Sequence, residues 1–311
     1  MNKRLLLALA AVIAVVAVAL PTFAGPYALQ VARNVIMYMA LAMTWDMLLR
    51  SGLISFGIAG LFGLGSYAAV IGSMRLAMSP LVSILFAGAF AGVAALVIGF
   101  MILRLRAIYF SIVTLALAEI ARIVIQNLPD FTGGPEGLVM EGVMLGGDAG
   151  GLYWAVLGGL AVAIGASWFF EKSKMHLALT AIRNNETSAR SSGIDIFRTL
   201  LLTFVVTSVI QGLLGGIFVQ SYGFATPDSV FDVNFTLLPL AIALLGGIHS
   251  TIGPIFGALL LGLSAEWLKL QIPYGHLVVY GIIIVLVILF MPSGLYGLVR
   301  KAMRSGEGRK A

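Results

Sequence analysis

Residues Thr199 to Tyr222 read TLLLTFVVTSVIQGLLGGIFVQSY, 24 positions without a charged side chain. One α-helix rising about 1.5 Å per residue needs roughly that many apolar residues to cross a hydrocarbon layer of about 30 Å. A globule of 311 residues has too little interior to hide many such runs, and this chain is 60% hydrophobic and 10% charged with a mean hydropathy of +1.05. The chain reads as an all-α polytopic membrane protein.

Outward from that run, stretches of about 17 to 25 apolar residues give about ten candidate spans. They lie near 5–22, 28–49, 53–73, 80–103, 107–128, 150–170, 199–222, 234–248, 252–270 and 276–298. Alternating their flanks across a bilayer sorts the basic residues, with 15 of the 19 Lys and Arg on one side. Only Arg75 and Lys269 fall on the other side, while Arg33 and Arg122 lie within spans. The positive-inside rule then makes both termini cytoplasmic. The formal charge of +6 is a topology signal, so a nucleic-acid partner is not expected. MNKR followed by Leu5 to Leu20 and Thr22-Phe23-Ala24 has the layout of a signal peptide, but its apolar core is slightly long. A retained first helix is the favoured reading, and cleavage would leave later orientations unchanged.

Zero cysteines excludes disulfide scaffolds and thiol chemistry, and His176, His249 and His276 lack metal-ligand spacing. No G-x-x-x-x-G-K-[ST], H-E-x-x-H or G-x-S-x-G occurs, which leaves P-loop nucleotide binding, zinc proteolysis and serine hydrolysis without support. The chain reads as a conduit powered from elsewhere, not as an enzyme.

Of the 37 glycines, five fall in SGLISFGIAGLFGLGSY (Ser51 to Tyr67) and five in LLGGIHSTIGPIFGALLLG (Leu244 to Gly262). Close helix packing accounts for small residues spaced by four, as in Gly88/Gly92, Gly212/Gly216 and Gly253/Gly257. The matching positions of the two Gly-rich breaks also point to an internal repeat and a midplane pathway. Pathway candidates are Ser55, Gly57, Gly60, Gly63, Gly246, Gly247 and Gly253, with Glu119 as the carboxylate near mid-depth. Arg122 follows Glu119 at i+3, the spacing of an internal ion pair that fixes a helix's orientation. Asp46 and Arg50 read as an interfacial pair, and Arg33, Glu266 and Lys269 as residues that snorkel to the outer surface. A proton relay would need several carboxylates in line, and the spans do not supply them.

The longest inward loop, 171–198, is EKSKMHLALTAIRNNETSARSSGIDIFR. Met175, Leu179 and Ile182 give an apolar stripe at helical spacing with Lys172, Lys174 and Arg183 on polar positions. Asn184 or Asn185 suits an N-cap of a second short helix, Glu186 its first turn, and Gly193 a left-handed residue past its end. The pattern favours a compact docking surface over a helix lying on lipid.

Here the chain resembles the LivM-type permease family of ABC importers. AIRNNETSARSSGIDIFRTLLLTFVVTSVIQGLLGGIF (Ala181 to Phe218) is similar to that family's cytoplasmic segment and following helix. SGLISFGIAGLFGLGSYAA, YFSIVTLALAEIARIVIQN, FTGGPEGL, LGGIHSTIGPIFGALLL and YGIIIVLVILFMPSGLYGL follow the family's blocks in order. Asn184, Ile58, His249 and Met291 depart from it. The resemblance implies one type II importer permease domain over 1–311 with about ten helices, a coupling loop at 171–198 and a basic tail at 299–311. It implies that Arg183, Asn184, Asn185, Glu186, Arg190 and Gly193 couple to an ATPase subunit. Implied partners are a second, homologous permease, two ATPase subunits that carry ATP and Mg, an extracytoplasmic substrate-binding protein and the lipid of a bacterial inner membrane. The implied substrate is a branched-chain amino acid, with urea, short amides or another small metabolite as the alternative. A stand-alone channel or a membrane-embedded enzyme is the reading from a different class.

Overall fold

The computed structural model describes residues 17–105, 107–140, 142, 144–271 and the single positions 275, 278, 279, 281, 282, 285, 286 and 294. Most of the spans expected at 5–22 and 276–298, and the whole tail 299–311, lie outside the described residues. The helices are α1 (Pro26–Leu49), α2 (Ile58–Arg75), α3 (Pro80–Ile102), α4 (Ala107–Gln126), α5 (Ala149–Lys172), α6 (Lys174–Asn184), α7 (Glu186–Ser191), α8 (Ile196–Tyr222) and α9 (Asn234–Gly246). They are followed by α10 (Gly253–Gly257), a π-helical turn (Ala258–Gly262) and α11 (Leu263–Gln271). Among the described residues six helical segments are long and apolar enough to cross a membrane.

Local chemistry sets many of the boundaries. Pro26 and Pro80 open α1 and α3, where the missing N–H costs nothing. Asp195 caps α8 by accepting from the Arg198 N–H, and Gly223 ends it with φ 77°. One pairing was not anticipated from sequence: Leu138–Val139 and Phe224–Ala225 form a two-residue antiparallel ladder beyond α8. The FTGGPEG turn supplies it, because a Cβ on Gly137, at φ 76°, would overlap the Ala225 carbonyl.

α1 is the axis of the bundle. From Val35 to Leu49 nearly every residue is buried, packed against α5, α8 and α9. Lipid offers no hydrophobic force to join helices, so close backbone approach and buried polar contacts must do so. Both occur. A Cβ on Gly212 would come within 2.7 Å of the Ala87 carbonyl, and one on Gly88 within 2.6 Å of Leu213, which seats α8 on α3. Gln220 Nε2 donates to Ser73 and Ser83 Oγ, each at 2.7 Å, and Gln211 Nε2 to Thr44 Oγ1 at 3.1 Å. Outward faces of α3 and α4 carry exposed Leu81, Leu85, Met101, Ile108 and Ile112, the surface a lipid-facing wall presents.

The second Gly-rich stretch is two helices joined by a turn. A Cβ on Gly246 would overlap the Gly253 carbonyl, and one on Gly257 the Ile242 carbonyl, so α9 and α10 touch backbone to backbone as a hairpin. In the first stretch Gly60 meets Ala118 of α4 and Gly65 meets Gly212. These contacts give a direct test. Gly212→Leu is expected to destabilise the folded chain by about 1–3 kcal/mol or more through overpacking. Gly165→Ala, on a helical position with nothing within 4 Å, should hold or slightly raise the melting temperature in detergent. Equal melting temperatures for Gly212→Leu and the parent would contradict the packing role.

Candidate functional site

The site begins at the 171–198 loop. Ser173 caps α6 by accepting from the Met175 N–H, and Leu179 of α6 is fully buried against Met47 and Phe170. Asn185 turns the chain in extended conformation and caps α7, its Oδ1 accepting from Ser188 N at 3.0 Å. Gly193 leaves α7 with φ 81°. Ile182 and Ala189 sink into an apolar cluster with Leu48, Leu53, Leu103 and Leu200. The outer surface of this knuckle is polar: Asn184, Asn185, Glu186 and Arg190 are all exposed. Of the six residues assigned to it from sequence, five form that outer rim, and Arg183 faces the bundle.

Arg183 packs on Gly52, the residue where α1 gives way to the first Gly-rich break. Gly52 has φ 90°, and a Cβ there would lie 3.3 Å from Arg183 Cγ. Only glycine satisfies both the left-handed backbone and the close approach. Two residues earlier stands Arg50, whose Nη2 lies 3.0 Å from Asp46 Oδ2 with side-chain exposures of 3% and 0%. The pair expected at the interface is therefore buried. α5 and the α9–α10 turn close over it, supplying partners that local sequence could not reveal. Arg50 Nη2 donates to Ser167 Oγ at 2.9 Å and to Thr251 Oγ1 at 3.4 Å. Thr251 in turn donates to Glu171 Oε2 at 2.6 Å. The second oxygen of Asp46 accepts the His249 backbone N–H. α1, α5, the α9–α10 turn and the loop thus meet at one polar node.

His249 sits in that turn with φ 64°, a left-handed conformation uncommon outside glycine. Burial pushes its imidazole down to about 4, and the charges of Arg183 and Arg50 push the same way against a backbone hydrogen bond to Leu49.

The pathway candidates are placed as follows. Ser55 is buried, its Oγ accepting from Gly57 N at 3.2 Å while its carbonyl accepts from Trp45 Nε1 at 2.9 Å. Gly57 lies on Thr114, Gly63 on the Phe231 ring, and Gly246, Gly247 and Gly253 form the hairpin contact. Glu119 stands apart from these. It pairs with Arg122, but the pair is on a face that this chain leaves open, with Glu119 52% and Arg122 30% exposed, and so is not internal. Arg122 Nη1 also holds Asp228 Oδ1 at 2.8 Å, a partner from the segment after α8 that i+3 spacing could not identify.

Residues 27–288 match the family described as branched-chain amino acid transport system / permease component. The chain belongs to that family. The high-affinity branched-chain amino acid transport system permease protein LivM of Salmonella typhimurium is 28% identical over 95% of this chain and 76% of its own length. LivM of Escherichia coli is 28% identical over 94% and 76%. The permease protein LivH of Escherichia coli is 32% identical over 42% of this chain and 42% of its own length. No solved structure matches. The family is one of transport permeases, and in this member the polar node joins an exposed loop to a helix hairpin.

Two outcomes follow from the node. Arg50→Leu leaves the Asp46 carboxylate buried without its cation and is expected to cost about 3–5 kcal/mol, part of which Asp46→Asn restores in the double variant. Additive losses in a thermal-unfolding cycle would contradict the pairing. For His249 the folded value of about 4 lies below the ordinary 6.5, so between those values the unfolded chain binds the extra proton. Its contribution is complete above pH 6.5 and is lost as pH falls towards 4. The parent's advantage in melting temperature over His249→Asn, which tolerates positive φ, should therefore shrink as pH falls across that window.

Proposed function

We propose that the chain is the membrane permease subunit of an ATP-driven importer of branched-chain amino acids. The observation that carries the reading is the match of 27–288 to a branched-chain amino acid permease family, together with the exposed, doubly capped knuckle at 174–191. About ten helices arranged as an internal repeat cross a bacterial inner membrane, with both termini and the knuckle cytoplasmic; 15 of the 19 basic residues on that side support this orientation.

A second, homologous permease lies beside this chain, and the alternating pathway runs between the two. The similarity to both LivM and LivH supports a paired arrangement. Two ATPase subunits carry ATP and Mg, one of them docking on this chain's knuckle, and an extracytoplasmic binding protein delivers substrate to the opposite side. Closure of the ATPases pushes on α6 and α7. Because Leu179, Ile182 and Ala189 anchor those helices while Arg183 rests on Gly52, the push reaches the Asp46–Arg50 node and the α9–α10 hairpin. The exposed Glu119, Arg122 and Asp228 belong to the face towards the second permease, where a charged face is covered by protein or water rather than lipid.

The test is ATP-driven uptake of leucine into proteoliposomes holding the whole complex. Arg183→Ala with Glu186→Ala is expected to remove uptake, or to uncouple it from ATP hydrolysis, while leaving assembly intact. Unimpaired uptake in that variant would refute the coupling role.

A further inference from the structure

At the end of the bundle away from the knuckle, a cavity of about 360 Å³ opens between α1, the last turn of α8 and the segment leading into α9. That volume lies within the ~300–1,000 Å³ range of small-molecule sites. Its lining divides by chemistry. Met37, Phe218 and Phe235 form an apolar wall, with the Phe218 and Phe235 rings edge to face at 5.3 Å. The same lining holds a cation, Arg33, and a carboxylate, Asp232.

Arg33, expected to snorkel, is half-buried, and its buried Nη1 has no hydrogen-bond partner. Among the described residues it makes no ion pair, so it comes no closer than 4.0 Å to the Asp232 oxygens. Asp232 is held in place by the Asn234 N–H, which reaches Oδ1 at 2.7 Å. Asn34, beside Arg33, is fixed by Tyr222 Oη at 3.2 Å. A buried guanidinium nitrogen without an acceptor is costly, and an occupant that brings a carboxylate to Nη1 removes that cost. An occupant that brings only a carboxylate leaves Asp232 unanswered, and one that brings only an ammonium leaves Arg33 unanswered.

We propose that this cavity is a binding site, within this one chain, for a small zwitterionic α-amino acid with an apolar side chain. Arg33 takes the carboxylate, Asp232 takes the ammonium, and the Met37, Phe218 and Phe235 wall takes the side chain. The assignment of the side chain rests on the transport reading above. The site lies about 25 Å of helix away from Arg50, counting 1.5 Å per residue along α1, on the side where the substrate arrives. It holds the amino acid before the node moves.

The chain has no native cysteine, so one introduced thiol reports alone on this subunit. Ser221 lines the cavity and its hydroxyl only bonds back to Ile217 in its own helix. Ser221→Cys in the assembled complex is labelled with a thiosulfonate reagent in the presence of L-leucine, 4-methylpentanoate or isopentylamine. L-Leucine is expected to slow labelling in a concentration-dependent way. Each singly charged analogue should need roughly tenfold more or fail, the loss expected when one buried charge is left unpaired. Adding Arg33→Gln should raise the protecting concentration of L-leucine by a similar factor in protein that still assembles. Labelling that L-leucine does not slow, equal protection by the three compounds, or unchanged protection with Arg33→Gln would each overturn the site. Leucine uptake by the parent complex is read separately. Uptake without protection overturns the cavity alone, and protection without uptake overturns the transport reading alone.

Discussion

A carboxylate and a guanidinium taken wholly out of solvent, Asp46 and Arg50, hold this structure to one arrangement at the end that carries the knuckle. Buried charges are tolerated only when each lone pair and each N–H is answered, and here the answers come from α5 through Ser167, from the hairpin turn through Thr251 and His249, and from α1 itself. Moving any one of those elements alone would strand a charge in a low-dielectric interior. The node is therefore a constraint on motion more than a source of net stability.

From that constraint the rest of the arrangement follows. Arg183 can rest on the chain only because Gly52 has no Cβ, and Gly52 directly follows the buried pair. The hairpin can bring His249 and Thr251 to the node only because Gly246, Gly253 and Gly257 let α9 and α10 meet at backbone distance. Small residues thus shape the region twice, once for the loop and once for the hairpin. The two Gly-rich stretches read from sequence turn out to serve contacts within this chain, whatever further part they take in a pathway.

What was legible in the sequence was mostly local. The caps at Asn185 and Gly193, the buried stripe of Leu179 and Ile182, and the pairing of Glu119 with Arg122 each depend on residues within one or two helical turns. Burial of Asp46 and Arg50 was not legible, because Ser167 and Thr251 approach from 117 and 201 positions away. Asp228 was missed for the same reason: 106 positions separate it from Arg122. The two-residue ladder of β structure has no periodicity to detect. The cavity beside Arg33 was not legible either, because Tyr222 and Phe235, which line it with the half-buried Arg33, come from distant segments.

The central claim is that the knuckle and the α9–α10 hairpin move as one body. It is tested most directly by electron-paramagnetic distance measurement between nitroxides on Thr187→Cys in α7 and Phe256→Cys in α10, both exposed positions in a chain without native cysteine. In the assembled transporter the account predicts one narrow distance distribution that stays in place when ATP is added. A distribution that broadens or shifts on ATP binding would show the loop moving independently of the hairpin and would contradict it.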